Sequence, residues 1–184
     1  MVRHENPAGL RRGEGIKRYV ERILIMDKKL GFEDFIAAVA AENQEFVREL
    51  HAKLTELGCK MEVKAAKSGF VVSYVLNRKT IANYVFRKKG MIARIYAAHV
   101  NEYIEALEDL PEELVQTVKA APDCKRMIDP DSCNPKCPMG YDFWLKGERY
   151  RKCRSNAFMF PVCKGNNPFI GRLILREAEA CRFC

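Results

Sequence analysis

Apolar residues recur at helical spacing in the first third of the chain and predict three helices. The first covers residues 16–30 and ends at Gly31, which adopts the left-handed conformation without strain. A short helix is expected around Phe35, and a third helix is capped by Asn43 and ends at Gly58. Residues 1–15 lack this pattern, and we expect them to form a flexible tail.

Residues 60–97 are instead rich in β-branched and aromatic residues, which favour strands. Three clusters of turn-forming residues divide this stretch into four short strands. The turns fall at 67–69, 77–79 and 88–90, and the strands near 60–66, 70–76, 80–87 and 91–97. Turns this short join antiparallel neighbours, so the pattern predicts a meander sheet without any helix inside it. Two helices are expected over 98–120, the second beginning near Pro111.

The last third of the chain begins with a turn-rich stretch that contains three cysteines. Strand-like segments are expected at 141–145, 149–153 and 157–162. Asn167 and Pro168 then open a final helix. We therefore predict an α+β fold with N-terminal helices, a central antiparallel meander sheet, and a C-terminal cysteine-rich, zinc-type element with a final helix. One domain is expected, in which residues 121–184 pack on the helices and sheet of residues 16–120.

Eight cysteines occur in the chain, and four of them predict a structural zinc site. The predicted ligands are Cys124, Cys133, Cys137 and Cys153. The C-x3-C spacing of Cys133 and Cys137 is acceptable for zinc, and the Pro, Asp, Asn and Gly residues around it favour a tight irregular loop. Four thiolates suit Zn²⁺ and leave no open coordination position. The cations expected to offset their charge are Lys125, Arg126, Lys136 and Lys152.

Other interpretations of the cysteines stay open. Cys181 and Cys184 have a C-x2-C spacing and are able to replace two members of the ligand set. Redox activity is not expected of this pair, because it lies at the C-terminal end of a predicted helix, where the dipole opposes the thiolate. The remaining interpretations are buried thiols and disulfides, and the second is disfavoured because no export signal is visible.

The net charge of +8 is concentrated in one stretch, because residues 59–100 contain nine basic side chains and one acidic side chain. A positive surface of this kind attracts phosphates, and aromatic residues interleaved with it are typical of surfaces that stack single-stranded nucleic acid. We therefore expect an anionic partner such as nucleic acid. The expected contacts are Lys67, Arg78, Lys79, Arg87, Lys88, Lys89 and Arg94. A solvated sheet edge and a core-facing row of aromatic residues explain the same pattern.

No motif of nucleophilic, metal-dependent or nucleotide-dependent catalysis is present, and each of the three histidines stands alone. An enzyme is therefore not the favoured interpretation. The alternative function is a small-molecule-binding protein or enzyme with a pocket between the sheet and the helices at 98–120. We expect a cytoplasmic protein without a membrane partner, because neither a secretory signal nor a long apolar window is visible. The oligomeric state stays open.

Two parts of the sequence carry a resemblance to known proteins. The first includes Lys67-Ser68-Gly69-Phe70 and Asn83-Tyr84-Val85-Phe86-Arg87-Lys88, and the second includes Cys133-Asn-Pro-Lys-Cys137-Pro-Met-Gly-Tyr141. Across roughly residues 43–180, the chain resembles a group of small bacterial proteins with no assigned activity. This resemblance implies a bacterial, cytoplasmic origin and adds no function. The order of helices, strand meander and helices is also similar to small bacterial α+β domains of the YdhG and YjbR type.

Overall fold

The computed structural model describes residues 30–182. Two helices open this part of the chain, α1 (Phe32–Ile36) and α2 (Ala41–Glu56). Four strands follow them, β1 (Lys60–Ala66), β2 (Gly69–Leu76), β3 (Lys79–Arg87) and β4 (Gly90–Ile95). Turns of two residues join successive strands. Between β2 and β3, Asn77 and Arg78 both have positive φ, 48° and 64°, as a type I′ turn that matches the twist of the flanking strands requires.

The segment after the sheet is built from short elements. A 3₁₀ helix (Val100–Glu102) precedes the helices α3 (Glu105–Glu108), α4 (Glu112–Ala120) and α5 (Lys125–Ile128). A hairpin of β5 (Tyr141–Leu145) and β6 (Glu148–Lys152) comes next. The described part ends with β7 (Met159–Pro161) and the long helix α6 (Asn167–Cys181).

The main sheet has five antiparallel strands in the order β1-β2-β3-β4-β7. One face of it packs against helices α2 and α6. Four aromatic residues on this face, Phe70, Tyr74, Tyr84 and Phe86, are almost completely buried. Gly171 of α6 allows the close approach of α2, because a Cβ atom there would lie 3.1 Å from the ring of Phe46. The same core extends into the C-terminal third through Tyr141, Phe158 and their neighbours.

The α+β class and the antiparallel meander predicted from the sequence are confirmed, and no helix interrupts residues 70–96. The predicted cap of the third helix is wrong. Helix α2 begins at Ala41 with Ala40 as its cap, and Asn43 is buried inside its first turn. The Asn43 side chain instead donates to the Val162 carbonyl at 3.4 Å and accepts from Asn167 Nδ2 at 2.9 Å. A buried amide needs such partners, and here they join α2 to α6.

Two other helix predictions need comment. The helix expected at 16–30 falls almost entirely outside the described residues. The first helix expected after the sheet is divided into the 3₁₀ helix and α3, whereas the second begins directly after Pro111, as predicted. Among the helices of residues 30–182, none combines the length and apolar character needed to cross a membrane.

Candidate functional site

The antiparallel register gathers part of the basic stretch at one end of the main sheet. Ala66 pairs with Gly69 at the β1–β2 turn, and Arg87 pairs with Gly90 at the β3–β4 turn. Since Val71 pairs with Val85, both turns lie at the same end of the sheet. Strands are about 4.8 Å apart, so the two turns are separated by about 10 Å. We call the four basic residues there the cationic end: Lys67, Arg87, Lys88 and Lys89.

Within residues 30–182, no ion pair offsets the charge of the cationic end. All four side chains are exposed. In strands β1–β4, Lys64 forms an ion pair with Glu62 at 3.2 Å. Glu62 is also the single acidic residue of 59–100. The cationic end therefore presents a positive field to solvent without a neighbouring carboxylate from its own strands.

The structure separates the other three predicted contacts from this end. Arg78 and Lys79 lie in the β2–β3 turn and at the start of β3. That turn is at the opposite end of the sheet, about 25 Å away along β3. Arg94 is the penultimate residue of β4, is half-buried, and places Nη1 3.5 Å from the hydroxyl of Tyr96. The register therefore distributes the seven predicted contacts over both ends of the sheet and over β4.

The aromatic residues of the sheet do not form a stacking surface. Phe70, Tyr74, Tyr84 and Phe86 line the core, as the alternative interpretation of the pattern expected. Tyr74 and Tyr84 meet edge to face at 6.3 Å, and burial raises the pKa of both phenols. Tyr96, on the other face, is half-buried.

The predicted zinc ligands lie in a long loop and directly after strand β6. We call residues 124–140 the cysteine loop. Asp123 and Lys152 form an isolated antiparallel bridge. The N–H of Cys124 donates to the Arg151 carbonyl, and the N–H of Cys153 donates to the Pro122 carbonyl, both at 2.8 Å.

Because side chains alternate between the faces of paired strands, this bridge places Cys124 and Cys153 on the same face. As diagonal neighbours, their Cβ atoms stand about 7 Å apart. Two thiolates that each lie about 2.3 Å from one zinc ion can span that separation. The bridge therefore brings two of the four predicted ligands to one face of the paired segments.

Both sulfur atoms already accept hydrogen bonds. The Gly140 N–H donates to Cys124 Sγ at 3.1 Å, and Asn156 Nδ2 lies 3.6 Å from Cys153 Sγ. The approach of Gly140 needs the absence of a side chain, because a Cβ atom there would clash with the Lys152 carbonyl and lie 2.6 Å from Cys124 Cβ. N–H donors stabilise negative charge on sulfur. Each of these two sulfur atoms therefore has one N–H donor beside it.

Cys133 and Cys137 lie further along the cysteine loop, exposed and half-buried respectively. The loop is held by local polar contacts such as Asp131 N–H to Asp129 Oδ1, at 3.1 Å, and Lys136 N–H to Asn134 Oδ1, at 2.9 Å. In residues 30–182 the structure brings no three His, Cys, Asp or Glu side chains together in an arrangement that holds a metal ion. Cys124 and Cys153 lie on neighbouring paired segments, whereas Cys133 and Cys137 lie further along the cysteine loop.

One expectation about the surroundings of the ligands is wrong. Lys152 does not offset their charge, because its buried side chain points to the other face of the bridge. There its Nζ donates to the carbonyls of Lys119 and Ala121 and to Asp123, all within 2.9 Å. These three acceptors satisfy a buried ammonium group. The guanidinium of Arg126 is also engaged, since it donates to the carbonyls of Pro135 and Cys137.

The alternative ligand Cys181 belongs to a different part of the molecule. Cys181 is fully buried, and its thiol lies 3.8 Å from the Leu76 carbonyl. The backbone carbonyl of Cys181 accepts from Asn77 Nδ2 at 2.9 Å. Burial, together with the nearby Cys181, raises the pKa of Cys59 to about 11, so Cys59 is a protonated core thiol. Cys184 lies outside the described residues. No disulfide joins any of the seven cysteines within residues 30–182.

A buried carboxylate, which the sequence analysis did not single out, lies between helix α6 and the segment at 98–120. Glu177 of α6 is 1% exposed. Its carboxylate accepts from the Tyr103 hydroxyl at 2.7 Å and the His99 N–H at 3.1 Å, and it lies 2.8 Å from His99 Nδ1. Burial and the adjacent Glu177 raise the pKa of Tyr103, so the phenol stays a donor. These contacts satisfy the carboxylate and attach α6 to the chain after β4.

The sequence did contain a signal for this cluster. Glu177 occupies the helical face that is otherwise formed by Leu173, Ile174 and Ala178. A charged residue on an apolar face requires a buried partner. The partners themselves, His99 and Tyr103, are too distant along the chain for helical periodicity to identify.

Comparisons of this chain with family models, with curated proteins and with solved structures found no match.

Proposed function

We propose that this protein is a zinc-stabilised binding module that engages nucleic acid through the cationic end of its sheet. The observation that carries the proposal is the placement of Lys67, Arg87, Lys88 and Lys89 in or beside two adjacent turns, where no carboxylate of residues 30–182 forms an ion pair with them. Basic side chains so placed neutralise phosphates and release the counterions condensed on them. The rigid hairpins that carry them need little reordering on binding.

The zinc part of the proposal is supported by the Cys124–Cys153 pair and its N–H donors. Coordination of one ion by four thiolates requires residues 133–137 to close onto that pair. Residues 129–136 are all exposed, so this closure does not require any of them to leave the packed core. When bound, the ion would cross-link the cysteine loop to β6 and activate no water, because four thiolates fill its coordination sphere. Lys125 and Lys136 remain nearby to offset the negative charge of the centre.

Charge reversal at the cationic end tests the nucleic-acid proposal. We expect the double variant Arg87→Glu/Lys88→Glu to weaken binding of a fluorescently labelled oligonucleotide to a similar degree for all sequences. The slope of log affinity against log salt should fall by about two, one unit for each lost phosphate contact. The matched control is Arg78→Glu/Lys79→Glu, which reverses two exposed charges at the other end of the sheet. Equal losses in both variants, or no binding by the parent at low salt, would contradict the proposal.

The buried Glu177 cluster favours a second candidate, a small-molecule-binding protein or enzyme. A buried carboxylate that orients a histidine is a common element of catalytic sites. The cluster also includes His99 and Tyr103 of the segment at 98–120, beside which the alternative function expects a pocket. A small carboxylate or phosphate compound that raises the melting temperature of the parent and not of His99→Gln would support this candidate. Equal shifts in both proteins would remove it.

A further inference from the structure

The β5–β6 hairpin presents one face to solvent. Tyr141, Phe143 and Leu145 of β5 are buried in the core. The alternate residues of the hairpin point outward, and among them Trp144 is 56% exposed. Tryptophan is a large, mostly apolar side chain, and leaving more than half of it in water forgoes much of its burial energy. This outer face is therefore a candidate contact surface.

Arginine residues surround the exposed indole. Trp144 pairs directly with Arg149 across the hairpin, and Asp142 pairs with Arg151. The two carboxylate oxygens of Asp142 accept from Nε and Nη2 of Arg149, each at 2.7 Å. Nε of Arg151 also donates to Asp142 Oδ2, at 3.3 Å. One carboxylate thus serves two guanidinium groups. The face keeps a net positive charge, and the ion pairs hold Arg149 beside Trp144.

This face continues towards the cysteine loop. Cys124 lies opposite Arg151 and bonds to its carbonyl, so the two residues share the outer face of the paired strands. Lys125, which follows Cys124, is exposed. Residues 124–154 together contain eight basic and four acidic side chains. The positive surroundings of Trp144 therefore extend beyond the hairpin.

We propose that Trp144, with Arg149 and Arg151, is a base-stacking surface for single-stranded nucleic acid. The proposal rests on the nucleic-acid function proposed above and names the class of ligand. An unpaired base offers a flat face to the indole, and guanidinium groups beside it stack on the base or neutralise the adjacent phosphates. A duplex hides the faces of its bases and leaves Trp144 without that contact. The chain thus meets phosphates at the cationic end and an exposed base at the hairpin.

Trp144 is the only tryptophan of the chain, so its fluorescence reports this contact directly. We expect a short oligothymidylate to quench the fluorescence of the full chain, and a duplex of the same length to bind with little quenching. Inorganic polyphosphate, which has no bases, serves as the second probe and should compete without quenching. In anisotropy titrations of the labelled oligothymidylate, Trp144→Ser should bind about tenfold more weakly, and Trp144→Phe should recover part of the loss. Circular dichroism of both variants checks that they fold.

The outcomes separate this inference from the function on which it rests. Binding of the oligothymidylate that neither quenches Trp144 nor responds to Trp144→Ser overturns the stacking surface and leaves the cationic end intact. Quenching that persists at parental affinity in Arg87→Glu/Lys88→Glu overturns the role of the cationic end and supports the stacking surface. The absence of any binding at low salt overturns both.

Discussion

The main sheet and the cysteine loop are stabilised by different physical means. The sheet buries an aromatic core, in which the ring of Phe35 stacks on Tyr84 at 5.6 Å and meets Phe86 at 6.1 Å. In the cysteine loop, residues 129–136 are all exposed, and Ile128 is 77% exposed. The loop therefore gains little from burial, and turns and N–H···S contacts hold it. A segment of this kind, attached to a well-packed domain, is where a metal cross-link adds most to local stability.

The comparison predicts that the aromatic core controls the stability of the whole domain, and Phe158→Ala tests this with the largest expected effect. Phe158 is 1% exposed and its ring lies 5.5 Å from Tyr141 and 5.4 Å from Phe143. Truncation of a buried phenylalanine leaves a cavity, and we expect a loss of about 3–5 kcal/mol in the free energy of unfolding. Urea denaturation measures this loss. Trp144→Ala, at an exposed aromatic position, is the control and should cost much less. A loss below about 1 kcal/mol for Phe158→Ala would contradict the assignment of this core.

An intermediate effect is expected where the cysteine loop meets the domain. A methyl group at position 140 would clash with the Lys152 carbonyl and crowd Cys124. We expect Gly140→Ala to cost about 1–3 kcal/mol and to increase amide hydrogen exchange first around the cysteine loop. Gly165→Ala is the matched control, because no atom lies within 4 Å of its added methyl group. Equal stabilities of the two variants would show that the loop does not depend on this close contact.

The smallest expected effect is a pH dependence of stability, caused by His51 on the helix-covered face of the main sheet. Burial lowers the pKa of His51 below 6.5, and the weaker attraction of Glu33 acts in the opposite direction. His51 stacks on Phe32 at 3.8 Å and contacts the Tyr74 hydroxyl at 3.1 Å. The folded state then binds fewer protons than the unfolded state near the lowered pKa. The stabilisation that comes from burying neutral His51 is therefore present above pH about 6.5 and is lost as the pH falls below that value.

The measurement for His51 is the urea midpoint of the parent and of His51→Gln at pH values on both sides of about 6.5. The difference between the two proteins isolates His51, because the other histidines are common to both. We expect the parent to lose more stability than the variant on acidification. Parallel profiles would show that His51 is not desolvated in the folded protein.

Local sequence patterns predicted the meander well because its turns are short and its strands are rich in β-branched and aromatic residues. The clusters at Asn77–Arg78 and Lys88–Lys89 determine both the strand breaks and the antiparallel pairing. An antiparallel meander also places alternate turns at the same end of the sheet, so Lys67 and Lys88 lie at one end and Arg78 at the other.

Other features depend on contacts between distant parts of the chain. β7 is added beside β4 from more than sixty residues away, and the Asp123–Lys152 bridge brings Cys124 beside Cys153. Asn43 looks like a helix cap locally, but it pairs with Asn167 because both amides are buried together. Residue spacing alone cannot identify such partners, since many distant pairs are compatible with the same pattern.

The proposal that zinc stabilises the cysteine loop is tested most directly by hydrogen–deuterium exchange with and without a chelator, on protein of measured metal content. We expect about one zinc ion per chain, bound by four thiolates. Chelation should increase exchange in residues 121–140 and leave the amides of β1–β4 protected. Cys137→Ser should have the same effect, whereas Cys163→Ser, which removes an exposed thiol outside the ligand set, should retain the metal. Metal-free protein whose loop exchange is unchanged by the chelator and by Cys137→Ser would contradict the account.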